Sequence, residues 1–323
     1  MRYFAPIIPL LLLAMLPAFS SADSVTSALI NKALDSQQKL DLNTVLPDAM
    51  DQIGNETGVR IEADPVVWDL LPWGEQTNIT AKIENRTLRD ALSAITQKLG
   101  LQFVLTDEAV ELQPMPALRR LGRRSTVQEL QALDLLAGTP MNLGNNNRPT
   151  VHELLSAVDA KLDDLQSPFD VENRAPDAEQ NRHVNIPRNA TMAQALEEMS
   201  HQTNATWYPW GKSIVILSKQ EQVRTQLSKP LTARYNGVDV SQVLLELFQR
   251  AGVDFTIDPG AYQRIPANYR GIKLTLDNAS IQQALETIGG YTGLGFEVTD
   301  QGVHVVNQFI PTTQPASTRP DGE

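Results

Sequence analysis

The chain has 323 residues, no cysteine and four histidines, and its formal charge is −11. The missing thiols exclude disulfides, thiolate metal sites and lipid attachment at a lipobox. An acidic surface repels nucleic acid and anionic lipid, which removes both as general partners.

Residues 1–22 read as an export signal, with Arg2 ahead of the apolar run Ile7–Leu16 and cleavage expected after Ser20-Ser21-Ala22. That run is too short to span a bilayer and is interrupted by Pro9. No later stretch is apolar enough to do so. The expected product is an exported chain, periplasmic or secreted, without a lipid anchor or transmembrane segment. Residues 23–37 form an N-terminal segment ahead of the first patterned unit.

Unit one, residues 38–115, opens with an alternating strand at Lys39–Leu42. Leu46, Ala49, Met50, Ile53 and Thr57 follow as one stripe on a helix face. Gly58 stops that helix, the next residues alternate as a strand, and Asp64-Pro65 turns the chain. The insertion Pro65–Gly74 then breaks the pattern. It carries Trp68, Leu70, Leu71 and Trp73, the partner-binding candidates of the chain, because Trp is enriched in interface hot spots. The competing reading is a loop that folds back over its own unit. Ile79–Ile83 gives another strand, and Leu88, Ala91, Leu92, Ile95 and Leu99 a second striped helix. A hairpin starts at Gly100.

Arg119, Arg120, Arg123 and Arg124 mark 116–125 as a basic linker, held in solvent or offered to an acidic partner. Unit two, residues 126–218, is degenerate. Its opening strand is expected near Ala132–Leu136, ahead of a polar loop containing Asn145-Asn146-Asn147. Val151, Leu154, Leu155, Val158 and Leu162 stripe its first helix, which runs into an acidic, proline-broken stretch, Asp163–Asn181. Val184–Ile186 is expected as a short strand closed by Pro187. Met192, Ala195, Leu196, Met199 and Thr203 stripe the second helix, and Thr206–Ile216 forms the hairpin.

Residues 219–229 link to unit three, residues 230–308. It repeats the scheme with a strand at Leu231–Tyr235, a stripe from Val240 to Ala251 and the exit Gly252–Pro259. A strand at Ile272–Leu276, a stripe from Ile281 to Thr292 and a hairpin from Gly293 complete it. Thr87 and Ser280 are separated by the same interval as Gly100 and Gly293, so helix and hairpin of the two units align without a gap. Residues 309–323, rich in Pro, Thr and Ser, read as a disordered tail. The expected fold class is α+β: tandem repeats of a small two-helix domain with short mixed β-sheets, in the order strand-helix-strand-strand-helix-hairpin.

Six Asn-x-Ser/Thr triplets begin at Asn55, Asn78, Asn85, Asn189, Asn204 and Asn278. Three are better explained as helix caps than as glycosylation acceptors. Thr87, Thr191 and Ser280 each precede a helical stripe and are followed three residues later by Asp90, Gln194 or Gln283. The histidines His152, His183, His201 and His304 have no zinc-ligand spacing, and no phosphate loop, dinucleotide fingerprint or nucleophile elbow occurs. Asp159, Asp163 and Asp164 lack the spacing of a calcium loop. No cofactor or metal is expected.

Unit three resembles the short N-terminal domain shared by secretins and TonB-dependent receptors. The resemblance rests on Val240–Val253, Asp258-Pro259, Ile272–Leu285, Gly293-Leu-Gly-Phe296 and Val303–Val306. Unit one is similar throughout, apart from its insertion. Unit two matches in its helices and final hairpin. The resemblance implies two helices packed between small mixed sheets, a periplasmic setting and a non-enzymatic role. It further implies docking of envelope proteins belonging to secretion, pilus or uptake machinery, including TonB-type components. The chain departs from the family in carrying neither a secretin pore nor a receptor barrel, and no ligand residue maps onto it. The expected function is a non-enzymatic scaffold or adaptor. The alternative is a small-molecule or glycan-binding protein that uses the Trp68–Trp73 loop as its platform. Partner identity and oligomeric state are not encoded in these motifs.

Overall fold

The computed structural model describes residues 25–144 and 148–308. The expected signal 1–22, the loop Asn145–Asn147 and the tail 309–323 lie outside the described residues. The fold is mixed α+β, built from several small sheets and short helices.

In chain order, α1 (Val25–Leu34) lies in the N-terminal segment, and unit one follows with β1 (Gln37–Val45), α2 (Leu46–Thr57), β2 (Ile61–Ala63), α3 (Val66–Leu70), β3 (Asn78–Thr87), α4 (Leu88–Lys98), β4 (Leu101–Leu105) and β5 (Val110–Pro114). Strands β1 and β3 form an antiparallel ribbon whose ends pair Gln37 with Thr87 and Val45 with Asn78. A separate sheet has the order β2-β5-β4, parallel between β2 and β5 and antiparallel between β4 and β5. Helix α2 begins with Pro47 in its first turn, where no intrahelical N–H is lost, and stops at Gly58 with φ +72°.

Next come α5 (Pro116–Leu121), α6 (Val127–Gly138), α7 (Val151–Asp164), β6 (Asp170–Asn173), α8 (Asp177–Gln180), α9 (Met192–Gln202), β7 (Ala205–Trp210) and β8 (Ser213–Ser218). The sheet order β6-β8-β7, parallel then antiparallel, matches β2-β5-β4. Two expectations are corrected here. Ala132–Leu136 lies inside α6, where Ala132, Leu133 and Leu136 are buried. The helix wins because Thr126 and Glu129 close a full capping box at its start, and a short apolar run does not by itself distinguish helix from strand. Val184–Ile186 forms no strand. Among the described residues, two isolated bridges, Pro140 with Thr191 and Thr150 with His183, stand in place of the ribbon of unit one. These bridges occupy the positions of the ribbon ends in unit one, directly before the two helices. Between them Pro149 and Pro187 deprive the ladder of donors. Strand β6, inside the acidic stretch, was not expected from the sequence.

The third stretch comprises α10 (Lys219–Leu227), β9 (Pro230–Asp239), α11 (Val240–Ala251), β10 (Phe255–Ile257), β11 (Gly271–Ser280), α12 (Ile281–Thr292), β12 (Leu294–Thr299) and β13 (Gly302–Asn307). The ribbon β9-β11 and the sheet β10-β13-β12 repeat the pairings of unit one, including one parallel pair. Ala91, Ala195 and Ala284, the shared small residue of the second stripe, are all buried. One apolar core runs continuously from Ile30 to Leu217 through units one and two. A second core fills unit three and takes in Val223 and Leu227 of α10.

Candidate functional site

The Trp68–Trp73 insertion folds mainly onto its own unit. Leu70 and Leu71 are 4% and 0% exposed and belong to the core, so little of either is offered to a partner, and Leu70 also lines the cleft beside α10. Trp68 is partly buried against the same core. Trp73 alone stays outside, at 58% exposure. The three caps act as read. Thr87 accepts the Asp90 N–H at 3.1 Å, and Thr191 and Ser280 form full capping boxes with Gln194 and Gln283. Asn85 and Asn278, two residues before their caps, hold φ +57° and +51°. Asn tolerates this left-handed region better than other side chains, which gives those triplets a second structural reason.

The basic linker is a helix, α5, with Ala117, Leu118 and Leu121 buried. Two of its arginines are drawn into the fold by acids, one far away in sequence and one six residues on. Arg120 makes a bidentate pair with Glu197, both contacts at 2.8 Å, and donates to the Trp207 carbonyl at 3.1 Å. Arg123 pairs with Glu129 at 2.7 and 3.1 Å and stacks 4.1 Å over the Trp210 ring. Glu129 is 1% exposed and also accepts the Gly211 and Thr126 N–H groups. Burial pushes its pKa up, but the Arg123 guanidinium and these two N–H groups outweigh burial and hold it below the usual range. Arg124 reaches the Leu71 carbonyl at 3.3 Å. Arg119 remains exposed at the rim.

Helix α10 brackets the third unit against the first two. Gln222 donates to the Arg120 carbonyl at 3.0 Å, and Gln226 donates to the carbonyls of Arg120 and Gly252 at 3.3 and 3.1 Å. Just past α10, Lys229 donates to the carbonyls of Gly122 and Ala251 at 2.6 and 3.1 Å. These carbonyls lie at the C-terminal ends of α5 and α11, which otherwise lack intrahelical donors. Burial, reinforced by the nearby Arg123 charge, lowers the Lys229 pKa to about 8. Gly122 sits at φ +56°, and a Cβ there would run into Lys229 and the Ala251 carbonyl.

Around this bracket lies a cleft of about 1050 Å³, lined by Asp69, Arg119, Tyr208, Trp210, Lys229 and Leu231 among others. A smaller groove of about 400 Å³ separates units one and two. Its walls include Gln97 of α4, Leu101, Gln102 and Phe103 of β4, and Gln194, Glu197 and Glu198 of α9. Trp207, 1% exposed, also lines this groove, and its indole N–H has no acceptor. Neither Trp68 nor Trp73 lines either concavity. Among the described residues no cluster of three or more metal-ligating side chains occurs, and no helix is long and apolar enough to cross a membrane.

Sequence reasoning missed the Arg120–Glu197 and Arg123–Glu129 pairs and the Lys229 bracket. The arginine cluster was the one visible signal. The chain matches no protein-family model, no curated protein and no solved structure.

Proposed function

We propose that this chain is a non-enzymatic, exported scaffold that holds envelope proteins in fixed relation to one another. The modules are then relatives of the short N-terminal domain of secretins and TonB-dependent receptors, and the setting is the periplasm. The observation that carries the reading is the bracket at the module junction. Side chains of α5, α10 and Lys229 satisfy carbonyls and acids of neighbouring units, so three small modules present their surfaces as one body. A rigid array suits multivalent docking, because a second contact then forms at a high effective concentration. The export-like N-terminus and the absence of cysteine fit an envelope setting without disulfide dependence.

A small-molecule platform at Trp68 and Trp73 has less support, since one ring packs on the core and neither lines a concavity. The reading is tested by immobilising the mature chain and recovering bound proteins from envelope extracts of the native host at low salt. Recovery of secretion, pilus or uptake components, lost when the Lys229 bracket is broken, is the expected result. Recovery of no envelope protein contradicts it.

A further inference from the structure

The three hairpin sheets share one topology but not the same edge. In each, the first hairpin strand is an edge strand, and alternate residues turn their N–H and C=O groups away from the sheet. The register of β4 against β5, with bonds from the Met115 N–H to the Gly100 carbonyl and from the Thr106 N–H to the Ala109 carbonyl, directs Leu101, Phe103 and Leu105 outward. The same argument directs Ala205, Trp207 and Pro209 outward in β7, and Leu294, Phe296 and Val298 in β12.

Two of these edges are guarded. In β7 the Trp207 carbonyl is taken by Arg120 of α5, and Pro209 has no N–H to offer. In β12 the Val298 carbonyl accepts Gln220 of α10 at 2.9 Å, and Glu297 adds a charge to the strand. Each guard comes from the connecting helix that precedes the unit. Unit one is preceded by α1, but α1 engages α4 instead: Arg89 donates to Asp35 and Asn31 at 2.9 and 3.0 Å. Among the described residues no hydrogen bond reaches the outward groups of Leu101, Phe103 or Leu105. Strand β4 is also the one edge strand of more than three described residues that has neither a charged residue nor proline. Natural edge strands are normally blunted by such devices.

We propose that the outer edge of β4 is a docking site for an extended, proline-free segment of a partner protein, with Lys or Arg beside alternating apolar side chains. The segment adds a strand to β4 by main-chain pairing. The groove beside β4 is lined by both Gln102 and Phe103, which point to opposite sheet faces, as an edge groove requires. Phe103 and Met115, both partly exposed, offer apolar contact there. Of the groove's two carboxylates, Glu197 is already held by Arg120, so Glu198 is the one with no ion pair among the described residues, and the whole chain carries −11. That balance selects a basic segment over an acidic one.

This inference rests on the scaffold reading and is tested separately from it. The probe is a capped seven-residue peptide alternating lysine with valine, and the control carries glutamate in place of lysine. Amide hydrogen exchange is followed by NMR on the full mature chain. Without peptide, the Phe103 and Leu105 amides exchange fast while that of Val104, which pairs with Glu111, is protected. Saturating lysine peptide is expected to slow Phe103 and Leu105 roughly tenfold or more. The glutamate peptide is expected not to do so, and Val104→Lys, at a position 39% exposed, removes the effect while leaving the thermal midpoint near wild type. Protection of Phe103 and Leu105 in the peptide-free monomer overturns the proposal, because the edge is then already covered. Protection that grows with protein concentration alone overturns the choice of partner in favour of a second copy. Equal protection by both peptides overturns the charge assignment. If Val104→Lys recovers the same envelope proteins as wild type, the β4 site fails while the scaffold stands; if neither chain recovers any, the scaffold itself fails.

Discussion

At the scale of single residues, the caps and the buried ion pair make the sharpest predictions. Thr87, Thr191 and Ser280 each satisfy a helix N–H that otherwise lacks a partner. Replacing any one by alanine is expected to cost about 1 kcal/mol in chemical denaturation, and the three losses should add because the sites lie in separate units. Glu129 is more demanding. Its carboxylate is almost fully buried, and Arg123, Gly211 and Thr126 all depend on it. Glu129→Gln is expected to cost about 3 kcal/mol at neutral pH. Since the folded carboxyl lies below its ordinary value of 4.5, its contribution is complete above that value and is lost as pH falls through the folded pKa. The gap between wild type and Glu129→Gln in urea titrations should therefore close in acid. Lys229 shows the same direction for a different reason, since there burial disfavours the charged form. Its folded pKa of about 8 lies below the ordinary 10.5, so the unfolded chain binds more protons between those values. Wild type should gain stability relative to Lys229→Met as pH rises from about 8 to 10.5, and the difference should be flat below 8.

At the scale of elements, what could be read from the sequence depended on how local the cause was. The stripes of α2, α4, α7, α9, α11 and α12 and the caps of α4, α9 and α12 were legible because spacing and capping act within a few residues. The Gly58 and Gly252 exits were legible for the same reason, each being a left-handed residue at a helix end. Unit two hid its equivalent. Beyond α7 the left-handed position is filled by Gln166, at φ +51° and exposed. A glutamine there pays a steric cost that glycine does not. Gln166→Gly is accordingly expected to raise stability by about 0.5–1 kcal/mol, checked by the shift in urea midpoint at unchanged slope. The strand expected at Ala132–Leu136 went to α6 because the Thr126–Glu129 box, visible in the sequence, outweighed a short apolar run. The state of the β4 edge was not legible at all. Whether an edge is guarded depends on where a helix from another unit comes to rest, as Arg120 and Gln220 do on β7 and β12.

At the scale of the whole molecule, the stretches read as linkers are the parts that hold it together. Residues 116–125 read as a basic linker, held in solvent or offered to an acidic partner, and 219–229 as a link between units. Arg123 finds Glu129 six residues on, but the partners of Arg120, Gln220, Gln222, Gln226 and Lys229 are carbonyls and acids far away in sequence, which no periodicity reveals. The consequence is mechanical: units one and two share a core, and α10 ties the third unit to them through Gln222, Gln226 and Lys229. The most direct test exploits the absence of native cysteine. Spin labels at Thr80→Cys and Glu286→Cys, exposed positions in units one and three, report the distance between the units by pulsed electron resonance. A single narrow distance distribution, broadened by Gln226→Ala with Lys229→Met, is the predicted result. A broad distribution in the otherwise unaltered chain would show modules swinging on free linkers and would contradict the account.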